Sequence, residues 1–509
     1  MSLLGLDIGT SGCKAVVFDL EGNILSRAYR EYPLLYPREG WIELDAKMLL
    51  NKIEESVKEA VNKNRVKKDP VEAISISSQG EAFVPVDKEG NPLANIPVSF
   101  DTRGEKFSRW WREKLGEEKI MHISGMPINS MFSLNKMMWF KENSPREYKK
   151  TWKFLCLEDF LIFKWGLPPA LDYSLASRTM AFNILQREWS EEILSLARID
   201  KSLLSKVFPS GTPLGKISSK TALRLSLPLE TIMVTGGHDQ ACGALGAGVM
   251  EEGLAMDATG TVECIASVFK QPRLHQKMFQ NNFSCYPYVV PSLYITLAFN
   301  FTGGALLRWF RDTLASEEKE IAKRTGKDIY SLLLEEASEE PSPLFLLPHF
   351  TTTGTPYMDT KSTGVILGFS LNTTKNELIK AILEGISLEM KQNLTLLEEA
   401  KVPIYELRAI GGGAKSRKWL QLKADIYGKK VVSLRVSEAA CLGAALLAGV
   451  GKGKYRSFKE AVKETVKIKE SFYPQKEKMK IYEEKFKVYK DIYPTLKDLN
   501  HRIKSFALR

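Results

Sequence analysis

The sequence predicts an α/β protein built from two domains of the same design. A chain of 509 residues is too long for one compact core, so two or three domains are expected. Strand-like and helix-like segments alternate along it, as is typical of mixed α/β domains. A hairpin pattern at 3–18 also returns half a chain later, at 254–269. This repeat indicates that one domain plan is used twice.

The first hairpin pattern surrounds a run of small residues. Asp7 interrupts an apolar strand over 3–8, the tetrapeptide GTSG follows at 9–12, and a second apolar strand covers 15–18. An unpaired carboxylate in apolar surroundings costs several kcal/mol, so Asp7 is expected to face a cation. The glycine amides of the tetrapeptide can approach a ligand closely.

The second hairpin pattern has the same parts. Asp257 interrupts an apolar strand, Gly260-Thr261 forms the turn, and a β-prone strand continues to residue 269. One Asp-Gly-Thr turn would be a weak signal, whereas two at the spacing of the domains are a stronger one.

Other segments are predicted from apolar periodicity and turn residues. Strands are expected over 71–77, 231–234, 295–299 and 406–410, and helices over 48–62, 304–313, 375–399 and 416–427. The last of these strands ends in three glycines, where a nucleotide can meet exposed amides. A plain tight turn is the alternative at that point.

Composition is that of an ordinary globular protein, with 44% apolar and 26% charged residues. No apolar run approaches the roughly 18 residues of a membrane span, and no basic-then-apolar leader is recognised, so a cytoplasmic protein without a membrane partner is expected. The six cysteines lack paired spacing and are interpreted as buried reduced thiols.

The net charge of +11 is concentrated near the carboxyl end. Residues 451–509 contain 17 Lys/Arg and 8 Asp/Glu, with signs alternating between apolar residues. This pattern predicts an amphipathic surface helix and does not favour a nucleic-acid partner.

Eight collinear motifs resemble the FGGY carbohydrate kinases, a branch of the actin, hexokinase and heat-shock ATPase superfamily. They cover nearly the whole chain: GLDIGTSGCKAVVFD, LEDF…DYSLASRT, GGHDQACGALGAG, DATGTVE, GGALLRWFRD, GFSLNTTKNELIKAILEGISLEM, GGGAKSRKWLQLKADIYG and SEAACLGAALLAG. The resemblance implies two actin-like, ribonuclease H-like domains, at 1–245 and 246–509, around a central cleft for ATP and sugar.

The resemblance also implies where ATP and Mg²⁺ bind. Asp7 would hold the magnesium ion, which prefers carboxylate and water oxygens. The nucleotide contacts would be the first phosphate loop (Gly9, Thr10, Ser11 and Lys14), the second phosphate loop (Gly260 and Thr261), and an adenosine site with Gly304, Gly411, Gly412, Gly413, Ala414 and Ser416. Lys14 has an alternative as a surface residue, and Leu307 and Trp309 are expected in the core.

Asp239 matches the family's catalytic base, the group that accepts the proton of the attacking hydroxyl. It follows a strand and a Gly-Gly turn and precedes a predicted helix. The alternative is that Asp239 only caps that helix, a common use of Asp. His238 is expected to be structural.

The substrate pocket departs from well-known patterns. Gly80-Glu81 stands where glycerol kinases place Arg-Glu and xylulose kinases place Met-His, and Gly80 is expected to leave room for a larger substrate than glycerol. The substrate contacts implied by position are Gln79, Glu81, Asp101, Arg103 and Gln240. Asp101 and Arg103 have an alternative as an internal ion pair.

A pentulose is the first choice of substrate, because that class is common in the family. A polyol of the glycerol or erythritol type and a sugar acid remain alternatives, and a sensor of sugar or nucleotide on the same fold is the non-enzymatic one. A homodimer is also left open.

Overall fold

Two seven-stranded sheets, one in each half of the chain, form the centre of the protein. The computed structural model describes residues 1–63 and 68–507. The strands of the first sheet are β1 (Ser2–Ile8), β2 (Gly12–Phe18), β3 (Ile24–Glu31), β4 (Val71–Ser78), β5 (Pro213–Lys216), β6 (Ile232–Val234) and β7 (Gly237–His238). Those of the second sheet are β8 (Gly253–Thr259), β9 (Glu263–Phe269), β10 (Tyr286–Pro287), β11 (Tyr294–Asn300), β12 (Ile404–Gly411), β13 (Lys430–Leu434) and β14 (Ile468–Phe472).

The two sheets repeat one pairing plan. The first runs β5-β6-β4-β1-β2-β3, with β7 also paired to β4, and the second runs β14-β13-β12-β8-β9-β11-β10. In both, the opening hairpin and its third strand are antiparallel, while the next two strands are parallel to the opening one. The predicted internal repeat and the two-domain α/β fold are therefore confirmed. The boundary between 245 and 246 stays a prediction.

Seven helices position the site and the domain contacts. They are α1 (Ala46–Val61), α2 (Asp239–Gly246), α3 (Gly304–Leu314), α4 (Lys375–Glu399), α5 (Arg417–Tyr427), α6 (Ala439–Gly451) and α7 (Lys476–Ala507). The other helical segments are Glu105–Lys114, Glu117–Ser124, Ser133–Asn143, Pro145–Lys150, Leu157–Lys164, Tyr173–Ser177, Glu191–Ala197, Lys201–Leu203, Ser219–Leu225, Gln276–Gln280, Ser316–Thr325, Ile329–Glu336, Gly413–Lys415 and Phe458–Thr465.

The residues that the structure describes also form five short strand pairs. They are Glu43–Leu44 with Ile96–Pro97, Val84–Val86 with Lys153–Leu155, Ala170–Asp172 with Lys206–Phe208, Phe182–Asn183 with Glu188–Trp189, and Phe345–Leu347 with Val365–Leu367. The strands and helices predicted from sequence all form. Their ends differ by at most two residues, except that β2 begins three residues before the strand predicted at 15–18.

Helices α2 and α6 cross where glycines leave no side chain between their backbones. A Cβ on Gly246 would lie 1.9 Å from the carbonyl oxygen of Ala439, and one on Gly443 would lie 1.9 Å from that of Cys242. Helix α6 also packs against β1, where a Cβ on Gly5 would lie 1.8 Å from the carbonyl oxygen of Cys441. The second half of the chain is thus joined to the first sheet by direct backbone contact.

The charged carboxyl end forms the predicted amphipathic helix. Tyr482, Phe486, Tyr489 and Tyr493 of α7 are buried, whereas most of its lysines face solvent.

All six cysteines are buried and unpaired. Within 1–63 and 68–507, no helix has both the length and the apolar character needed to span a membrane.

We expect Gly246→Ala to destabilise the fold by about 3 kcal/mol or more, because the methyl group meets backbone atoms that cannot yield. Gly243→Ala is the matched control on the same helix, since its methyl meets the flexible Met256 thioether at 3.1 Å. The control should change stability by less than about 1 kcal/mol. Urea unfolding of both variants measures the difference, and equal losses would contradict the close crossing.

Candidate functional site

Three neighbouring parallel strands of the first sheet end at the same edge. Strand β1 pairs with β4 as far as Ile8 and Ser78, and β7 pairs with β4 through His238 and Ser78. The residues that follow these ends are therefore neighbours in space. They are the first phosphate loop after β1, Gln79-Gly80-Glu81 after β4, and Asp239-Gln240 after β7.

The first phosphate loop is held by its own backbone and by Gln79. Gly9 donates its amide to the carbonyl of Gly12 at 3.0 Å, and the Thr10 hydroxyl donates to Gln79 Oε1 at 2.9 Å. Ser11 is exposed. Gln79 thus braces the loop here, while its predicted sugar contact stays a prediction.

Lys14 extends from β2 toward the second half of the chain. Its ammonium donates to Glu438 Oε2 at 2.9 Å, immediately before helix α6. Lys14 is therefore partly exposed, as the surface alternative expects, but it also forms an ion pair between the two halves of the chain. Its contact with phosphate stays a prediction.

Asp7 fits the predicted magnesium site. The hydroxyl of Ser77 donates to Asp7 Oδ1 at 2.8 Å, and Oδ2 makes no hydrogen bond to any described residue. Burial raises the pKa of Asp7, although Ser77 and Lys14 act to lower it. Within the described chain no three His, Cys, Asp or Glu side chains form a metal cage. A carboxylate supplemented by water and phosphate oxygens is the environment that Mg²⁺ prefers.

Asp239 is the first residue of helix α2, and its carboxylate lies at the shared strand edge. The N-cap of α2 is His238. Asp239 Oδ1 accepts the adjacent Gln240 amide at 2.6 Å and lies 3.3 Å from His238 Nε2. Asp239 is therefore not the N-cap residue, and the choice between its catalytic and capping roles stays a prediction. Burial, and next the charges of Asp7 and Glu81, raise the pKa of Asp239 to about 7. A carboxylate with that pKa is suited to accept a proton near neutral pH.

Gln240 has an acceptor without a partner. Its Oε1 is buried and makes no hydrogen bond to any described residue. A buried amide oxygen of this kind normally has a donor. A substrate hydroxyl at this point would supply one.

Glu81 is neutralised by a residue that the sequence did not single out. Arg178 donates from Nε to Glu81 Oε1 at 2.5 Å, and both side chains are about 95% buried. The guanidinium lies over the rings of Phe132 and Tyr286, 5.2 and 5.6 Å from their centroids. Glu81 itself has a left-handed φ of 61°. Glu81 is therefore part of a buried ion pair and is not a lone carboxylate.

The expectation that Gly80 leaves room for substrate is wrong. A Cβ on Gly80 would lie 2.9 Å from Arg178 Cγ and 3.0 Å from His238 Cδ2, so those side chains already fill the space. The Nδ1 atom of His238 is 3.0 Å from the Tyr286 hydroxyl, and its Nε2 atom is 3.3 Å from Asp239 Oδ1, so its structural role stays a prediction. Burial, followed by the charge of Arg178, lowers the pKa of His238 well below its usual value.

Asp101 and Arg103 form the internal ion pair that the sequence left open. Arg103 donates to both oxygens of Asp101 at 2.7 Å and also to Glu43 at 2.6 Å. Its guanidinium lies 4.2 Å from the ring centroid of Trp41 and 5.0 Å from that of Trp139. The charges of Asp101 and Arg103 therefore have partners within the protein, and the predicted contacts of this pair with sugar stay predictions.

The nucleotide residues predicted in the second half surround a cavity of about 760 Å³, within the size range of ligand pockets. The predicted residues that line it are Gly260, Thr261, Gly304, Gly412, Gly413 and Ser416. Gly411 and Ala414 are adjacent but do not line it. A Cβ on Gly304 would lie 2.6 Å from the carbonyl oxygen of Gly260, so only glycine lets α3 begin against the second phosphate loop.

Several wall residues of this cavity were not predicted as nucleotide contacts. Leu307 is buried, as expected, but also lines the cavity, together with Arg308, Tyr330, Leu334 and Trp419. The first phosphate loop does not line it. Phe100 and Phe301 meet between the two halves, with ring centroids 5.7 Å apart.

Family models match most of the chain. The N-terminal domain of the FGGY family of carbohydrate kinases matches residues 2–246, and its C-terminal domain matches residues 256–451. This chain belongs to that family. It is an ATP-dependent carbohydrate kinase, and its substrate is a small molecule of the sugar class.

Individual relatives of this FGGY kinase carry different substrate names. The chain is 28% identical to the xylulose kinase of Bacillus subtilis (strain 168) over 507 residues, covering 99% of each protein. It is 29% identical to a glycerol kinase of Borreliella afzelii, covering 94% of this chain and 96% of the relative. The crystal structure of ligand-bound xylulose kinase from Lactobacillus acidophilus has the same fold, with a TM-score of 0.87, 21% identity and coverage of 97% and 98%.

For the FGGY kinase we expect Arg178→Met to reduce stability by about 3–5 kcal/mol, because it leaves the buried Glu81 charge unpaired. The double variant Arg178→Met/Glu81→Gln removes both charges and should recover at least half of that loss. Urea denaturation of the two variants measures the difference. A double variant no more stable than the single one would mean that the pair is not the cause.

Proposed function

We propose that the protein transfers the γ-phosphoryl group of ATP to a hydroxyl of an open-chain ketose, with a pentulose first. The observation that carries the proposal is the position of Asp239. It lies at one strand edge with the carboxylates of Asp7 and Glu81, and its pKa is raised to about 7. Phosphoryl transfer needs a positioned hydroxyl, neutralised phosphate charge and a proton acceptor. Asp239 is the acceptor in this proposal.

The residues near Asp239 are assigned the remaining roles in the reaction. Gln240 Oε1 accepts a sugar hydroxyl, and Glu81, held by Arg178, orients a second one. The two phosphate loops supply amide and hydroxyl donors, which bind phosphate without adding negative charge. Asp7 would hold Mg²⁺, whose charge offsets that of the ATP phosphates when it is bound.

An uncharged substrate is favoured over a sugar acid. The carboxylates of Asp7, Glu81 and Asp239 are close enough for both neighbours to raise the pKa of Asp239, whereas Arg178 is already paired. A carboxylate substrate would therefore meet net repulsion. The similarity to a xylulose kinase over 99% of both chains supports a pentulose as the first choice, and the similarity to a glycerol kinase keeps a polyol as the alternative.

We expect Asp239→Asn to lower kcat by about 10² to 10⁴, the usual contribution of a general base, at saturating Mg-ATP and sugar. The change keeps the size of the side chain and removes its basicity. The thermal midpoint serves as the control and should remain close to that of the wild type. Near-normal turnover by a folded Asn variant would remove Asp239 from the catalytic role.

The pH dependence of the wild type gives a second readout of the same role. Because Asp239 must be deprotonated to accept a proton, kcat/KM should fall below its pKa of about 7. The residual activity of Asp239→Asn should lack this acidic limb. A limb that persists in the Asn variant would assign the titration to another group.

A substrate panel tests the choice of sugar. Xylulose, ribulose, fructose, glycerol, erythritol and gluconate are assayed with Mg-ATP by release of ADP. We expect a pentulose to give the highest kcat/KM and gluconate the lowest among the sugars of similar size. Glycerol as the best substrate would overturn the pentulose and leave the kinase assignment intact.

A further inference from the structure

A buried lysine connects the adenosine site to the second phosphate loop. Lys423 of helix α5 is 1% exposed, and its Nζ lies 2.8 Å from Asp257 Oδ2, 2.7 Å from Thr259 Oγ1 and 2.5 Å from Glu263 Oε1. An ammonium has three donors, so all of them are used. Asp257 and Glu263 are fully buried.

These partners are the residues that close the second hairpin. Thr259 and Glu263 form the last cross-strand pair between β8 and β9, and the Thr259 hydroxyl also donates to Glu263 Oε1 at 2.9 Å. The second phosphate loop is the turn that this pair closes, and the amide of Gly260 donates to the carbonyl of Val262 at 2.9 Å. Lys423 therefore holds both ends of the turn.

The adenosine side is fixed to the same point. Helix α5 begins at Arg417, with Ser416 of the adenosine site as its N-cap, and a Cβ on Gly413 would lie 2.6 Å from Thr259 Cβ. Thr259 is thus enclosed between the glycine loop and Lys423. Burial raises the pKa of Glu263 to about 8; the charge of Lys423 opposes this shift and that of Asp257 adds to it. Glu263 is therefore largely protonated at neutral pH. One cation then faces one carboxylate.

We propose that Lys423 is a positioning residue that fixes the second phosphate loop relative to the adenosine pocket, and so sets the affinity for the phosphates of ATP. The proposal rests on the nucleotide site proposed above. It predicts that loss of Lys423 affects a ligand with phosphates and spares one without them.

Calorimetric titration of the full chain with Mg-AMP-PNP and with adenosine tests this. Lys423→Met should weaken Mg-AMP-PNP binding roughly tenfold to a hundredfold, as expected for misplaced donors to charged phosphate oxygens. Adenosine affinity should change less than about twofold. Lys485→Met is the matched control, because Lys485 forms a buried ion pair with Glu384 and does not line the nucleotide cavity. It should leave both affinities unchanged.

The double variant Lys423→Met/Asp257→Asn separates positioning from stability. It removes one charge of each sign, so its free energy of unfolding should recover, while Mg-AMP-PNP affinity should stay low. Recovery of that affinity together with stability, or equal weakening of adenosine and Mg-AMP-PNP, would overturn the proposal. A wild type that binds neither ligand would instead refute the nucleotide site itself, and the positioning role with it.

Discussion

The arrangement of the whole molecule depends on the contact between helices α2 and α6, where Gly246 and Gly443 bring two backbones together without side chains. Helix α2 begins at Asp239, and α6 begins directly after Glu438, the partner of Lys14. The contact that joins the halves therefore also positions the proposed base and one end of the first phosphate loop. Any separation of these helices would displace both. Packing at this density cannot deform continuously, so the halves hold a defined relation here.

The chemistry at the strand edge follows from crowding of carboxylates. Asp7, Glu81 and Asp239 lie at the ends of three parallel strands, and only Glu81 has its own buried cation. Burial, followed by the nearby charges of Asp7 and Glu81, makes the loss of a proton from Asp239 less favourable and raises its pKa to about 7. A group in that range can both accept a proton and give it up during a reaction cycle.

The sequence was informative where the signal is local. The bounds of α4 are those predicted, because Thr374 and Glu377 form a reciprocal cap at its start. Both hairpins could also be predicted, since alternation and small turn residues are short-range features. Arg178 and Lys423 could not, because their partners lie about a hundred residues or more away in the chain. The prediction that Gly80 leaves room for substrate failed for the same reason, because the space beside it is filled by Arg178 and His238, which are distant in sequence.

The aspartates of the two hairpins have different partners. Asp7 and Asp257 occupy corresponding places on the opening strand of each sheet, yet Asp257 has Lys423 as an internal counterion, whereas Asp7 has a hydroxyl and a free oxygen. The two copies of the hairpin therefore differ in charge: Asp257 has a buried ammonium within hydrogen-bond distance, and Asp7 has, among the described residues, only the hydroxyl of Ser77. The two halves are not interchangeable: an artificial protein made from two copies of the second would duplicate the 760 Å³ cavity and have no counterpart of the strand edge that carries Asp7.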